Sequence, residues 1–126
     1  MAKAKIAIIE DQQEIAEMYR FKFESEGYEV EVANDGASGF IMVQEFKPDL
    51  ILLDLMMPIK DGPETLDMFF EAGITTPVMI LTNLGKEESE SRLRHTENVI
   101  HYLIKANYTP KEVLAIAVRA LNGETF

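Results

Sequence analysis

Two short apolar runs in this chain stop at acidic residues. Lys5-Ile6-Ala7-Ile8-Ile9 gives way to Glu10-Asp11, and Leu50-Ile51-Leu52-Leu53 gives way to Asp54. Runs this short, bounded by polar residues, read as strands buried on both faces, the habit of parallel sheets. In such a sheet all carboxyl ends lie along one edge, where ligands bind. The two acidic endings therefore converge, although they are far apart in sequence. Carboxylates held close together repel one another unless a cation lies between them, and an all-oxygen cluster suits a hard ion such as Mg²⁺. Such an ion in turn attracts a phosphoryl group.

A length of 126 residues, 47% of them hydrophobic, supports one well-buried core and is too short for two ordinary domains. Residues 1–126 thus read as a single domain. No stretch approaches the roughly 20 uninterrupted apolar residues of a membrane span. Met1-Ala2-Lys3-Ala4-Lys5 runs into a strand rather than a secretory hydrophobic segment. The expectation is a soluble cytoplasmic protein without membrane contact. The absence of cysteine excludes disulfides, thiolate-metal sites and thiol nucleophiles. A net charge of −10 argues against direct nucleic-acid binding, which needs a basic face.

Beyond the first strand the pattern alternates helix and strand. Ile15, Met18, Tyr19 and Phe23 fall on one helical face, which Gly27 ends. Tyr28 to Ala33 reads as a second strand. Asn34-Asp35-Gly36 turns into a helix carrying Phe40, Ile41, Val43 and Phe46, and Lys47-Pro48-Asp49 breaks it. After the loop from Leu55 to Gly62, Asp61 and Glu64 form a capping box for a helix with Leu66, Phe69 and Phe70 facing inward. Val78 to Leu81 is the fourth strand. Lys86 to Thr96 permits a helix, but Leu93 is its one large apolar residue, so it is expected to be weakly held. Val99 to Ile104 is the fifth strand, and Thr109-Pro110-Lys111-Glu112 caps a last helix with Val113, Leu114, Ala117, Val118 and Leu121. This alternation implies right-handed crossovers and a parallel sheet covered on both sides.

Thr82 ends the fourth strand and Lys105 the fifth, so the acidic edge gains a hydroxyl and an ammonium. Taken singly, these residues have plainer readings: Asp11 with Glu14 makes a capping box, Asp61-Gly62 a turn, Lys105 a solvated lysine. Asp54 is harder to dismiss, because a charge without a partner is costly beside an almost wholly apolar strand. The joint occurrence of Glu10, Asp11, Asp54, Thr82 and Lys105 at consecutive strand ends outweighs the single readings. With Ile8-Ile9-Glu10-Asp11, Ala33-Asn34-Asp35-Gly36, Asp49 to Pro58, Asp61-Gly62, Leu81-Thr82 and Tyr102-Leu103-Ile104-Lys105 in this order, the chain closely resembles the receiver domain of two-component response regulators.

That resemblance implies a flavodoxin-like, doubly wound α/β fold with strand order 2-1-3-4-5 and five helices on both faces. It implies a stand-alone, chemotaxis-type switch, or a receiver cut from a longer protein near Asn122-Gly123. Asp54 would accept a phosphoryl group as an aspartyl phosphate. Asp11, Asp54 and the backbone carbonyl of Met56 would bind Mg²⁺, with Glu10 nearby or acting through a water. Lys105 would pair with Asp54 and then with a phosphoryl oxygen, and Thr82 would donate to another oxygen. Tyr102, three residues before Lys105, holds the place of the family's switch aromatic; ordinary strand packing weighs equally. The donor would be a phosphohistidine on a sensor histidine kinase or histidine phosphotransfer protein, with small acyl phosphates as substitutes. The downstream protein is not legible, and a monomer or weak homodimer is expected. The chain would catalyse only its own phosphorylation and dephosphorylation, and so is not an enzyme in the usual sense.

Several positions depart from the family pattern. Ala106 stands where a proline, commonly after a cis bond, often follows the lysine; a trans bond and a rearranged loop through Asn107, Tyr108 and Thr109 are expected. Thr96-Glu97-Asn98 replaces a small-residue turn before the fifth strand. Met56 and Leu84, which by resemblance border the path of the hydrolytic water, cannot orient it, and slow autodephosphorylation follows. Phe21, off the buried face of its helix, is a candidate kinase contact, though edge packing is the plainer reading. Other functions fit less well. A phosphate-metabolising hydrolase would place a second acid at Met56, and a dinucleotide binder would need a glycine-rich loop where Glu10-Asp11-Gln12-Gln13 stands. The strongest rival is a receiver-like interaction module that does not use phosphate.

Overall fold

The computed structural model describes residues 4–123; Met1, Ala2 and Lys3, at the start of the leader reading, lie outside them. The strands are β1 (Lys5–Ile9), β2 (Glu29–Ala33), β3 (Leu50–Leu53), β4 (Val78–Thr82) and β5 (Val99–Ile104). The helices are α1 (Gln13–Ser25), α2 (Gly36–Phe46), α3 (Gly62–Glu71), α4 (Lys86–Arg92) and α5 (Pro110–Leu121). All strand pairs are parallel and the sheet order is β2-β1-β3-β4-β5. Ile9 is level with Leu53, so the two acid-terminated runs finish side by side. The doubly wound order inferred from the sequence is the one observed.

Alternation along each strand divides the interior into two layers. Ile6, Ile8, Leu50, Leu52, Met79 and Leu81 point to one face, where Ala16, Tyr19 and Phe23 of α1 meet Val113, Leu114 and Ala117 of α5. Ala7, Ile9, Ile51, Leu53, Val78 and Ile80 point to the other, against Val43 and Phe46 of α2 and Leu66 and Phe69 of α3. Ile6, Ile9, Ile51, Leu53 and Ile80 retain no exposure, and each such side chain contributes about 1.5–3 kcal/mol by leaving water.

Several expected details change. Met18, Ile41 and Phe70 are exposed instead of buried, because the buried stripe of each helix is narrower than the apolar pattern. Tyr28 precedes β2, and α4 stops at Arg92 rather than Thr96. The Asp11–Glu14 capping box does not form: α1 starts from Gln12, with no side-chain cap bond, which leaves Asp11 exposed at the sheet edge. The boxes on α3 (Asp61, Glu64) and α5 (Thr109, Glu112) do form. No cis peptide occurs among the described residues, and a 3₁₀ turn, Lys105–Asn107, takes up the chain after β5.

The segment after α4 is tied to α3. The His95 ring stacks on Phe70 at 3.9 Å between centroids, its Nδ1 lies 2.8 Å from Asp67 Oδ1, and Arg94 Nη2 donates to Asp67 Oδ2 at 2.7 Å. Asn98 Nδ2 donates to the Ile74 carbonyl at 2.7 Å. These contacts replace the apolar face that α4 lacks; its buried residue is Ser89.

Candidate phosphoacceptor site

The acids gather because backbone bonds extend the sheet past its last residues. Glu10 N donates to the Ala33 carbonyl at 2.9 Å and Asp54 N to the Ile9 carbonyl at 3.0 Å, holding both acidic residues at strand ends. Asn34 Nδ2 donates to the Glu10 carbonyl, and Gln12 N to Glu10 Oε2, so the turn after β1 is braced on both sides. One carboxylate oxygen from each of Glu10, Asp11 and Asp54 lies within 4.8 Å of the others.

Lys105 completes the cluster from the neighbouring strand end. Its Nζ donates to Asp54 Oδ2 at 2.9 Å and also pairs with Glu10. Asp54 Oδ1 accepts from Met56 N at 3.2 Å. Asp54 and Glu10 are buried, Lys105 nearly so, and Asp11 faces solvent. Burial, with a smaller push from the Asp54 charge, raises the Glu10 carboxyl to about 7 against the opposing pull of its hydrogen bonds from Lys105 and Gln12. For Lys105, burial alone would lower the ammonium, but the bonds to Glu10 and Asp54 more than reverse it and its pKa rises. Two of the three carboxylates thus share one ammonium while Asp11 has none, and an all-oxygen set with surplus negative charge suits Mg²⁺.

Asp11, Asp54, Met56, Thr82, Leu84 and Lys105 line one cleft of about 340 Å³. The Thr82 hydroxyl is buried there. Asn83 also borders the cleft, a residue the sequence reading passed over although it directly follows Thr82. Tyr102 is not part of the lining. It is level with Ile80 on β4, hence diagonal to Thr82 on the same sheet face, and packs half-buried against the second layer of the core. Phe21 is largely exposed on α1. The loop after β3 is held without slack. A Cβ on Gly62 would lie 2.6 Å from Leu55 Cα, and one on Gly36 would lie 2.2 Å from the Lys60 carbonyl. Ile59, in the same loop, has a φ of 69°, a strained value for a β-branched residue.

A family model described as the response regulator receiver domain matches residues 6–117. The alkaline phosphatase synthesis transcriptional regulatory protein PhoP of Bacillus subtilis is 30% identical over 88% of this chain and 45% of its own length. The phosphate regulon transcriptional regulatory protein PhoB of Rhizobium meliloti is 34% identical over 85% of this chain and 48% of its own. The chain therefore spans about half the length of these curated relatives. Among solved structures, the receiver domain of a Francisella response regulator superposes with a TM-score of 0.81 at 32% identity, covering 94% of this chain and 96% of that one. A CheY-like receiver domain protein from Methanospirillum hungatei gives 0.85 at 22% identity over 97% and 96%, a likeness of fold.

Proposed function

The chain belongs to the response regulator receiver domain family, and from that membership we propose that it is a phosphorylatable signalling switch with Asp54 as acceptor. One observation carries the proposal: a buried Asp54, bonded to Lys105, stands within 4.8 Å of the Glu10 and Asp11 oxygens at the open edge of the sheet. Asp11, Asp54 and the Met56 carbonyl would hold Mg²⁺, with Glu10 close by. When bound, that ion supplies charge neutralisation for the transferring phosphoryl group.

The chain's own residues do the rest. An Asp54 oxygen attacks phosphorus in line with the leaving group. The new O–P bond forms as the bond to the donor nitrogen of a phosphohistidine, or to the acyl oxygen of a small acyl phosphate, breaks. Lys105 moves its ammonium from the carboxylate to a phosphoryl oxygen, and the Thr82 hydroxyl donates to another. Tyr102, diagonal to Thr82, is the residue best placed to turn inward when that hydroxyl moves. The donor in the cell is a sensor histidine kinase or a histidine phosphotransfer protein, the setting is the cytoplasm, and the output is a change in binding to a downstream protein by a monomer or weak homodimer.

Incubation with acetyl phosphate and Mg²⁺, followed by intact mass spectrometry, tests the proposal. Wild type gains the mass of one phosphoryl group and Asp54→Ala does not. A wild-type chain that takes up no phosphate would instead fit an interaction module that works without it. Tyr102→Ala should keep the phosphorylation and lose partner binding; if both survive, Tyr102 is not the relay.

A further inference from the structure

Beside the acceptor cleft lies a second lobe of about 510 Å³, lined by Asp11, Leu55, Met56, Met57, Asp61 and Arg92. The two lobes share Asp11 and Met56, so the outer one adjoins the approach to Asp54. The charge around this approach is unfavourable to an anion: Asp11 is exposed at the junction, Asp61 is in the outer lobe, and the chain carries −10 overall. Arg92 is the one cationic residue in the outer lining. Its guanidinium is about half exposed and is held by Glu88 one helical turn earlier, at 2.8 Å from Oε1.

A phosphoryl donor is an anion, and a guanidinium at the mouth of an acidic cleft raises its local concentration. We propose that Arg92 is a recruiting residue for the donor's phosphoryl dianion, and that Glu88 restrains it; this rests on the acceptor role of Asp54. Arg92 is placed to attract the donor before transfer, while Lys105 and Thr82 take the phosphoryl oxygens during it. The exposed i,i+4 pair with Glu88 is weak enough to be exchanged for an arriving phosphate. Removing either partner should therefore shift the rate in opposite directions.

The test is the second-order rate constant for acetyl phosphate with Mg²⁺, measured by mass spectrometry across ionic strength. At low salt, where screening extends about 30 Å, Arg92→Ala should react about fivefold more slowly than wild type. Near molar salt, where screening falls to about 3 Å, the two should converge. Arg92→Lys should recover most of the low-salt rate, because a point charge suffices for attraction, and Glu88→Gln should exceed wild type. An Arg92→Ala rate equal to wild type at low salt overturns the inference. So does a deficit of the same size at every ionic strength, since that reports a structural defect. If wild type takes up no phosphate at all, the acceptor reading fails and this inference falls with it.

Discussion

Lys105 Nζ lies 2.9 Å from Asp54 Oδ2 and at the same time pairs with Glu10, so one nearly buried ammonium serves two buried acids. Lys105→Met leaves both carboxylates without their cation and should cost about 3 kcal/mol in metal-free buffer. Saturating Mg²⁺ should recover part of that loss, because the ion restores the missing positive charge. Urea denaturation with and without Mg²⁺ measures both; an identical deficit under the two conditions would contradict the shared-cation account.

Glu10 supplies a pH dependence of definite sign. Burial holds its carboxyl at about 7 in the folded chain, above the ordinary 4.5. Between those values the folded state binds the proton more tightly than the unfolded one. This contribution to stability therefore falls as pH rises through the interval and levels off above it. Mg²⁺ binding opposes the proton, so its affinity should strengthen from pH 6 to about pH 8. Glu10→Gln should flatten both curves, as followed by denaturation and by calorimetric Mg²⁺ titration.

Met56 and Leu84 border the cleft, and neither side chain can orient water by hydrogen bonding. Phosphate on Asp54 should therefore be lost slowly. Met56→Asn places an amide at the shared wall of the two lobes and should speed loss about tenfold, less than the roughly 10²–10⁴-fold of a true general base because an amide orients water by hydrogen bonding without taking its proton. An unchanged decay of the phosphorylated mass would remove the explanation.

Ile59 holds a left-handed backbone with its side chain largely in solvent. Glycine accepts that conformation without steric cost, so Ile59→Gly should stabilise the chain by about 1 kcal/mol. A lower denaturation midpoint would show that the side chain has a packing role.

Asp67 joins α3 to the segment before β5 through His95 and Arg94. Partial burial tends to raise its carboxyl, but the bonds from His95 and Arg94 prevail and hold it below the usual value. This contribution is present above about pH 4 and is lost as pH falls through the lowered value. Asp67→Asn should thus be less stable than wild type at neutral pH, with the gap closing in acid. Hydrogen exchange of residues 86–98 should quicken in the same variant.

The strands and the acidic edge were legible because both rest on short-range signals: apolar runs fix the strands, and a parallel sheet aligns their ends; the order of the strands came from the family resemblance. Glu10, Asp11, Asp54, Thr82 and Lys105 were placed at that edge by those short-range signals, and they lie together there. Pattern could not tell which apolar side chains a narrow helical stripe buries, so Met18, Ile41 and Phe70 were misplaced. Asp11 was read singly as a cap because Glu14 has the right spacing, but α1 begins at Gln13 and the N-cap position falls to Gln12. The Phe70–His95 stack and the outer position of Arg92 join elements distant in sequence, and no local signal announces them.

Because α4 buries Ser89 and little else, its outward residues are almost decoupled from the folding of the domain. Apart from Glu88 and Arg92 at the mouth of the cleft, its charged side chains can be exchanged at small energetic cost while the sheet and the cleft stay intact. A new recipient of the signal could be acquired on that helix by surface drift alone, with the chemistry at the sheet edge inherited unchanged.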